Sequence, residues 1–175
     1  MWLEPKNYVD YEKLPSILKD IQEIFKNTSL DDLRKLGQVW PKGNAFSIFL
    51  INTSDYKDSP EEFREVVEKL SQLSGLHQTF INIIGPHESL PFHKDNEILG
   101  DIQGALHCYQ IVLAIQIPST DPEICGFKVG DEMRTYSSGA IVAFDGQVLH
   151  GGWNNSEDYR ITVCIDIDKS LDFWT

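Results

Sequence analysis

The feature of this sequence that most constrains its fold is a change of hydrophobic period near Gly75. Before that point apolar residues recur at helical spacing. After it come short β-rich runs separated by Gly, Pro, Asp and Ser. The first predicted helix starts near Pro15, a residue suited to a first helical turn, and buries Leu14, Ile17, Leu18, Ile21 and Phe25 on one face. A second covers Leu30–Leu36 and stops at Gly37. Residues 45–51 (AFSIFLI) read as a strand. A third helix is capped by Ser59, with Pro60 at its first position and Glu62 closing a capping box. Phe63, Val66, Val67, Leu70 and Leu73 form its stripe, and Gly75 ends it. Residues 79–84, 110–117, 140–144 and 160–167 then read as strands, with shorter ones at 92–95, 126–129 and 148–150. Many short strands with turns between them point to a sandwich, jelly roll or small barrel, with the helices outside one sheet. The expected class is mainly β with N-terminal helices (α+β).

The chain has 175 residues, and domains run at roughly 150 residues, so a single domain over 1–175 is expected. Residues 1–75 would be its helical flank and 79–168 its β core. A domain this size buries about 70% of its unfolded surface and needs no disulfide or structural metal to fold. Lys and Arg total 15 against 27 Asp and Glu, a net charge of -12. That surface repels phosphate backbones and anionic lipid, which disfavours nucleic acid and membranes as partners. The start, MWLEPKNYVDYEK, lacks the apolar core and cleavage site of a secretory signal, and no apolar run is long enough to span a bilayer. Cys108, Cys125 and Cys164 are an odd set without metal-type spacing. They read as buried or free thiols in a reducing compartment, hence a cytoplasmic protein.

Chemistry concentrates in the β half. His93 and Asp95, two apart on a predicted strand, point to one face. An imidazole and a carboxylate there suit a divalent first-row metal. His150 is the best third ligand, because it follows the 140–147 strand and turn and precedes Gly151 and Gly152, which let backbone pass close to a bound group. Two His and one carboxylate make the facial triad of non-heme Fe(II) oxygenases. Arg160 opens the next strand ten residues later, and Thr162 shares its face. An inward guanidinium beside a hydroxyl is a ready carboxylate site; the structural alternative pairs Arg160 with Asp145 or Asp166. Tyr109 and Gln110 alternate, so one should face inward. Glu97, Trp153, Asn154 and Asn155 are candidate substrate contacts near the expected mouth. His87 is a rival ligand, separated from His93 by Pro91, while His77 and His107 read as structural or surface residues.

The order His93-x-Asp95, His150, Arg160 resembles the signature of Fe(II)- and 2-oxoglutarate-dependent dioxygenases. Residues 139–167 (GAIVAFDGQVLHGGWNNSEDYRITVCIDI) resemble more narrowly the aspartyl/asparaginyl β-hydroxylase family, in which a Gly, an apolar strand, Phe-Asp, a His, a Trp and an Arg follow in similar order. The resemblance covers about residues 79–168. It implies a double-stranded β-helix, a jelly roll of the cupin type. It implies Fe(II) on His93, Asp95 and His150, and 2-oxoglutarate held by Arg160 with Thr162. O2 would be the oxidant, with succinate and CO2 as coproducts. The substrate would be an amino-acid side chain, free or within a peptide or protein. There are two departures. Animal aspartyl β-hydroxylases lack the acidic ligand, whereas Asp95 is present here, as in the wider superfamily and the bacterial free-amino-acid hydroxylases. A second family Arg is replaced by Gln110. Two other readings stay open at this point: another metal-dependent cupin-type enzyme, and a non-catalytic jelly-roll binding module.

Overall fold

The computed structural model describes residues 1–36, 38–39, 45–51, 59–95 and 108–169. In chain order these form β1 (Trp2–Leu3), α1 (Leu14–Asn27), α2 (Leu30–Leu36), β2 (Gln38–Val39), β3 (Phe46–Ile51), α3 (Arg64–Leu70), β4 (Leu76–Ile84), β5 (Glu88–His93), β6 (Cys108–Gln116), β7 (Cys125–Val129), β8 (Glu132–Arg134), β9 (Ile141–Asp145), β10 (His150–Asn154) and β11 (Arg160–Asp168). Two antiparallel sheets result. The larger runs β1-β9-β6-β11-β4-β3-β2 and the smaller β5-β10-β7-β8. From β4 onward the chain alternates between them: β4 large, β5 small, β6 large, β7 and β8 small, β9 large, β10 small, β11 large. That winding is a double-stranded β-helix, the jelly-roll architecture expected from the sequence.

The larger sheet has two buried faces because successive side chains on a strand point oppositely. Along β11, Ile161, Val163, Ile165 and Ile167 pack outward with Ile81, Ile83, Ile111 and Leu113 of neighbouring strands. The helices cover this face through Leu14, Ile17, Leu18 and Ile21 of α1, Val66, Val67 and Leu70 of α3, and Phe63 in the 3-10 turn before α3. The inner face carries Val112, Phe144, Cys164 and Trp2, which meet Phe127 and Val129 of the smaller sheet. The polar residues Arg160, Thr162 and Asp166 fall on the inner face by the same alternation and are buried.

Three local expectations differ. The third helix begins as a 3-10 turn at Glu61–Phe63, with Pro60 in the cap position and no side-chain cap. The Ser59 hydroxyl donates to the Leu50 carbonyl, tying that turn to β3. β5 is longer than expected at its start and ends at His93, leaving Asp95 beyond it. Its Pro91 is tolerated because β5 is an edge strand. β10 begins at His150 rather than ending there. Gly151 and Gly152 are poor strand formers, but β10 is central, and bulk is excluded there: a Cβ on Gly152 would lie 2.8 Å from the Phe127 ring. Gly37 and His107 lie outside the described residues.

Phe63 is fully buried between the helices and the outer sheet face. Truncation to alanine is expected to destabilise the fold by about 3–5 kcal/mol, read by denaturant unfolding.

Candidate metal centre

β5 and β10 pair so that His93 lies directly across from His150. Each imidazole donates from Nδ1 to a carbonyl two residues back, His93 to Pro91 at 2.7 Å and His150 to Val148 at 2.9 Å. Those bonds orient both rings so that each Nε2 faces the same point, where it can serve as a metal ligand. Asp95 reaches the same point from beyond β5, its backbone N–H held by the Gly146 carbonyl at 3.1 Å. Asp95 Oδ1 sits 3.6 Å from His93 Nε2 and 3.3 Å from His150 Nε2. One ligand atom from each residue lies within 4.8 Å of the others, so the three can share one cation. The donor set of two imidazoles and one carboxylate fits a divalent first-row metal with coordination positions left open.

Several close packings hold this arrangement. The His150 side chain is almost wholly buried, its ring 4.7 Å from that of Phe144 and 5.9 Å from that of Phe127. Gly146 is required where it stands, because a Cβ there would overlap Asp95 Oδ2. Burial works to raise the Asp95 carboxyl, but the imidazoles of His150 and His93 outweigh it and hold the group below its ordinary value.

Behind Asp95 lies a buried polar chain. The Gln110 amide nitrogen is 3.5 Å from Asp95 Oδ2 and donates to Asp166 Oδ1 at 3.0 Å, while Gln78 donates to Asp166 Oδ2 at 2.6 Å. Burial, and then the neighbouring Asp95 charge, push the Asp166 carboxyl up to about 7.

Arg160 is 2% exposed and donates to the Tyr136 hydroxyl. Its guanidinium lies 5.5 Å over the Phe127 ring. Neither carboxylate considered from the sequence reaches it: Asp166 is held by the two glutamines and Asp145 by Lys169. Among the described residues the guanidinium has no carboxylate partner. Cys125, Phe127, Arg134, Tyr136 and Arg160 line one small pocket. Burial raises the Tyr136 hydroxyl above its ordinary value, so it stays a neutral donor. Thr162 sits next along the same face of β11, also buried.

The remaining candidates fall elsewhere. Gln110 faces inward as one of its pair must, but its amide is engaged by Asp166. Tyr109 faces outward, packed on Tyr8 at 4.4 Å with the Lys169 ammonium 4.8 Å from its ring. Trp153 lies over Gly126 and donates to the Pro122 carbonyl at 2.7 Å. Asn154 spends its amide on the carbonyls of Ile84, Gly85 and Asp158, and Asn155 donates to Glu123. These three residues therefore hold turns and do not join the triad. His87 makes a surface contact with Glu157 at 3.0 Å. Glu97 lies outside the described residues. Tyr136 and Gln78 were missed by sequence reasoning. Tyr136 sits in a short polar loop with no period, and Gln78 lies just before the predicted start of its strand.

A family model for aspartyl/asparaginyl β-hydroxylases matches residues 12–170. No curated protein matches the chain. Among solved structures, similarity is found to the viral collagen prolyl hydroxylase vCPH from Paramecium Bursaria Chlorella virus-1 in its 2OG complex. The TM-score is 0.55 at 13% identity, covering 85% of this chain and 90% of that one. AviO1 from Streptomyces viridochromogenes Tue57 gives a TM-score of 0.51 at 13% identity, covering 97% of this chain and 87% of that one. These likenesses show a shared fold.

Two expectations follow from the geometry. Gly146 has no positive φ, so Gly146→Ala is compatible with the backbone and acts by displacing the Asp95 carboxylate. It is expected to weaken divalent-metal binding by about 10-fold in a Co(II) titration. Asp166 binds its proton more tightly folded than unfolded, so folding takes up a proton between the ordinary 3.8 and about 7. Stability then declines as pH rises through that window. Chelator-treated protein should melt lower at pH 7.5 than at pH 5, and Asp166→Asn should flatten that difference.

Proposed function

The chain belongs to the aspartyl/asparaginyl β-hydroxylase family, and from that premise we propose that it is an Fe(II)- and 2-oxoglutarate-dependent dioxygenase. Its substrate would be an unactivated C–H bond of an amino-acid side chain, free or in a peptide or protein. The observation that carries this reading is the convergence of His93, Asp95 and His150, with both imidazoles held at Nδ1 so that Nε2 faces the common point. When bound, iron(II) supplies O2 activation, with 2-oxoglutarate as the electron source leaving as succinate and CO2.

The chain's own residues divide the remaining work. His93, Asp95 and His150 would hold the metal. Arg160 takes the distal carboxylate of 2-oxoglutarate through its guanidinium, with Tyr136 and Thr162 as hydroxyl donors beside it. A buried arginine without an acidic partner is costly by itself, and a bound carboxylate offsets that cost. Phe127 and Phe144 keep bulk water from the imidazole of His150. The site residues, the cosubstrate and the amino-acid substrate class all belong to this proposal, as does the chain's working as one dioxygenase domain. So does a cytoplasmic location, for which the three free buried cysteines speak.

The test is succinate formation from 2-oxoglutarate with Fe(II) and O2 across free amino acids and short peptides. Wild-type turnover is expected to vanish on chelation and in His150→Ala. Arg160→Ala should raise the 2-oxoglutarate KM by about 10- to 100-fold, the worth of a charged hydrogen-bonded contact. Protein that binds neither Fe(II) nor 2-oxoglutarate would sink the proposal.

A further inference from the structure

Asp95 uses its two oxygens differently. Oδ1 faces both imidazole nitrogens. Oδ2 is turned back against Gly146 and toward the amide nitrogen of Gln110. A glutamine amide can present either its NH2 or its carbonyl oxygen, and the two ends have nearly the same shape. Only the NH2 end is compatible with a carboxylate at Oδ2; the carbonyl end would repel it. Something must therefore select the orientation of Gln110.

Asp166 is placed to do so. It lies directly across from Gln110 in the β11–β6 register and from Gln78 in the β11–β4 register. All three side chains are buried. Each oxygen of the Asp166 carboxyl accepts from one amide, which turns the NH2 end of both glutamines inward. The observed contacts are of that kind on both sides. No cation pairs with Asp166 among the described residues, so retention of this buried acid is not explained by a salt bridge.

Resting on the metal-centre reading above, we propose that Asp166 and Gln110 are positioning residues. Asp166 orients the Gln110 amide, and Gln110 holds Oδ2 of Asp95 so that Oδ1 alone is offered to the metal. Neither residue touches the metal itself. With Asp95 neutralised by a bound cation, the repulsion between the two acids is relieved and ionised Asp166 is favoured. Gln78 buttresses the far side of Asp166 and completes the row.

Co(II) is the probe, because its visible absorption reports ligand number and geometry. Wild-type protein, Asp166→Asn, Gln110→Met and the double variant are titrated with Co(II) after their melting temperatures are recorded. Gln110→Met keeps the volume and removes the amide, and it serves as the second route if Asp166→Asn does not fold. Each single variant is expected to bind Co(II) about 10-fold more weakly, with a changed visible spectrum. The double variant is expected to be no weaker than Gln110→Met, because Asp166 acts through that amide. Folded single variants with wild-type affinity and spectrum would overturn the relay. So would additive losses in the double variant. Wild-type protein that takes up no Co(II) would instead remove the metal centre, and the relay with it.

Discussion

The rest of the site depends on the pairing of β5 with β10, whose register shifts between His150 and Gly152. With His93 across from His150, the two imidazoles approach to 4.4 Å between ring centroids. A shift of one residue would send one of them to the opposite face of the smaller sheet. Edge strands are where such slips occur most easily, and β5 is an edge. The register is held from both sides of β10. Gly152 admits Phe127 where any side chain would collide, and a Cβ on Gly151 would press on Leu90 and Phe92 of β5 at 3.1 Å. The glycines are therefore part of the register lock as well as of the space around the ligands.

The second constraint is the two-faced larger sheet. Its outer face is bought off by helices, which leaves the inner face free to carry polar groups in a dry setting. A guanidinium, a hydroxyl and a carboxylic acid lie along one side of β11, at Arg160, Thr162 and Asp166. Each would be expensive without a partner. The acid is met by two amides and the guanidinium by a phenol. Among the described residues no carboxylate faces Arg160, and the proposed cosubstrate would supply one there.

Much of this was legible in the residues. The helical stripes identified the buried faces of α1 and α3, and the β-rich runs located β4, β6, β9 and β11. The spacing of His93, Asp95 and His150 picked out three residues that the fold brings together. What was not legible depended on tertiary contact. The glycines of β10 looked like a strand end because strand propensity says nothing of a neighbour's ring. Trp153, Asn154 and Asn155 looked like a mouth because they follow a ligand, yet their side chains are spent on backbone carbonyls of other loops. Tyr109 and Gln110 could not be told apart by alternation alone, since period two gives a face but not which face. Asp166 entered only as a possible partner of Arg160, whereas its partners are Gln78 of β4 and Gln110 of β6, which no local pattern announces.

Trp2 has a bearing on how the molecule is assembled. Its ring lies 6.0 Å from both Phe127 and Phe144, and β1 pairs with β9. The segment that starts at Trp2 thus finds its seat only once Phe127 of β7 and Phe144 of β9, far along the chain, are in place. Closing so long a loop is slow, because its entropy is lost before the contact repays it. Trp2 therefore completes the inner core through contacts that reach across most of the described chain.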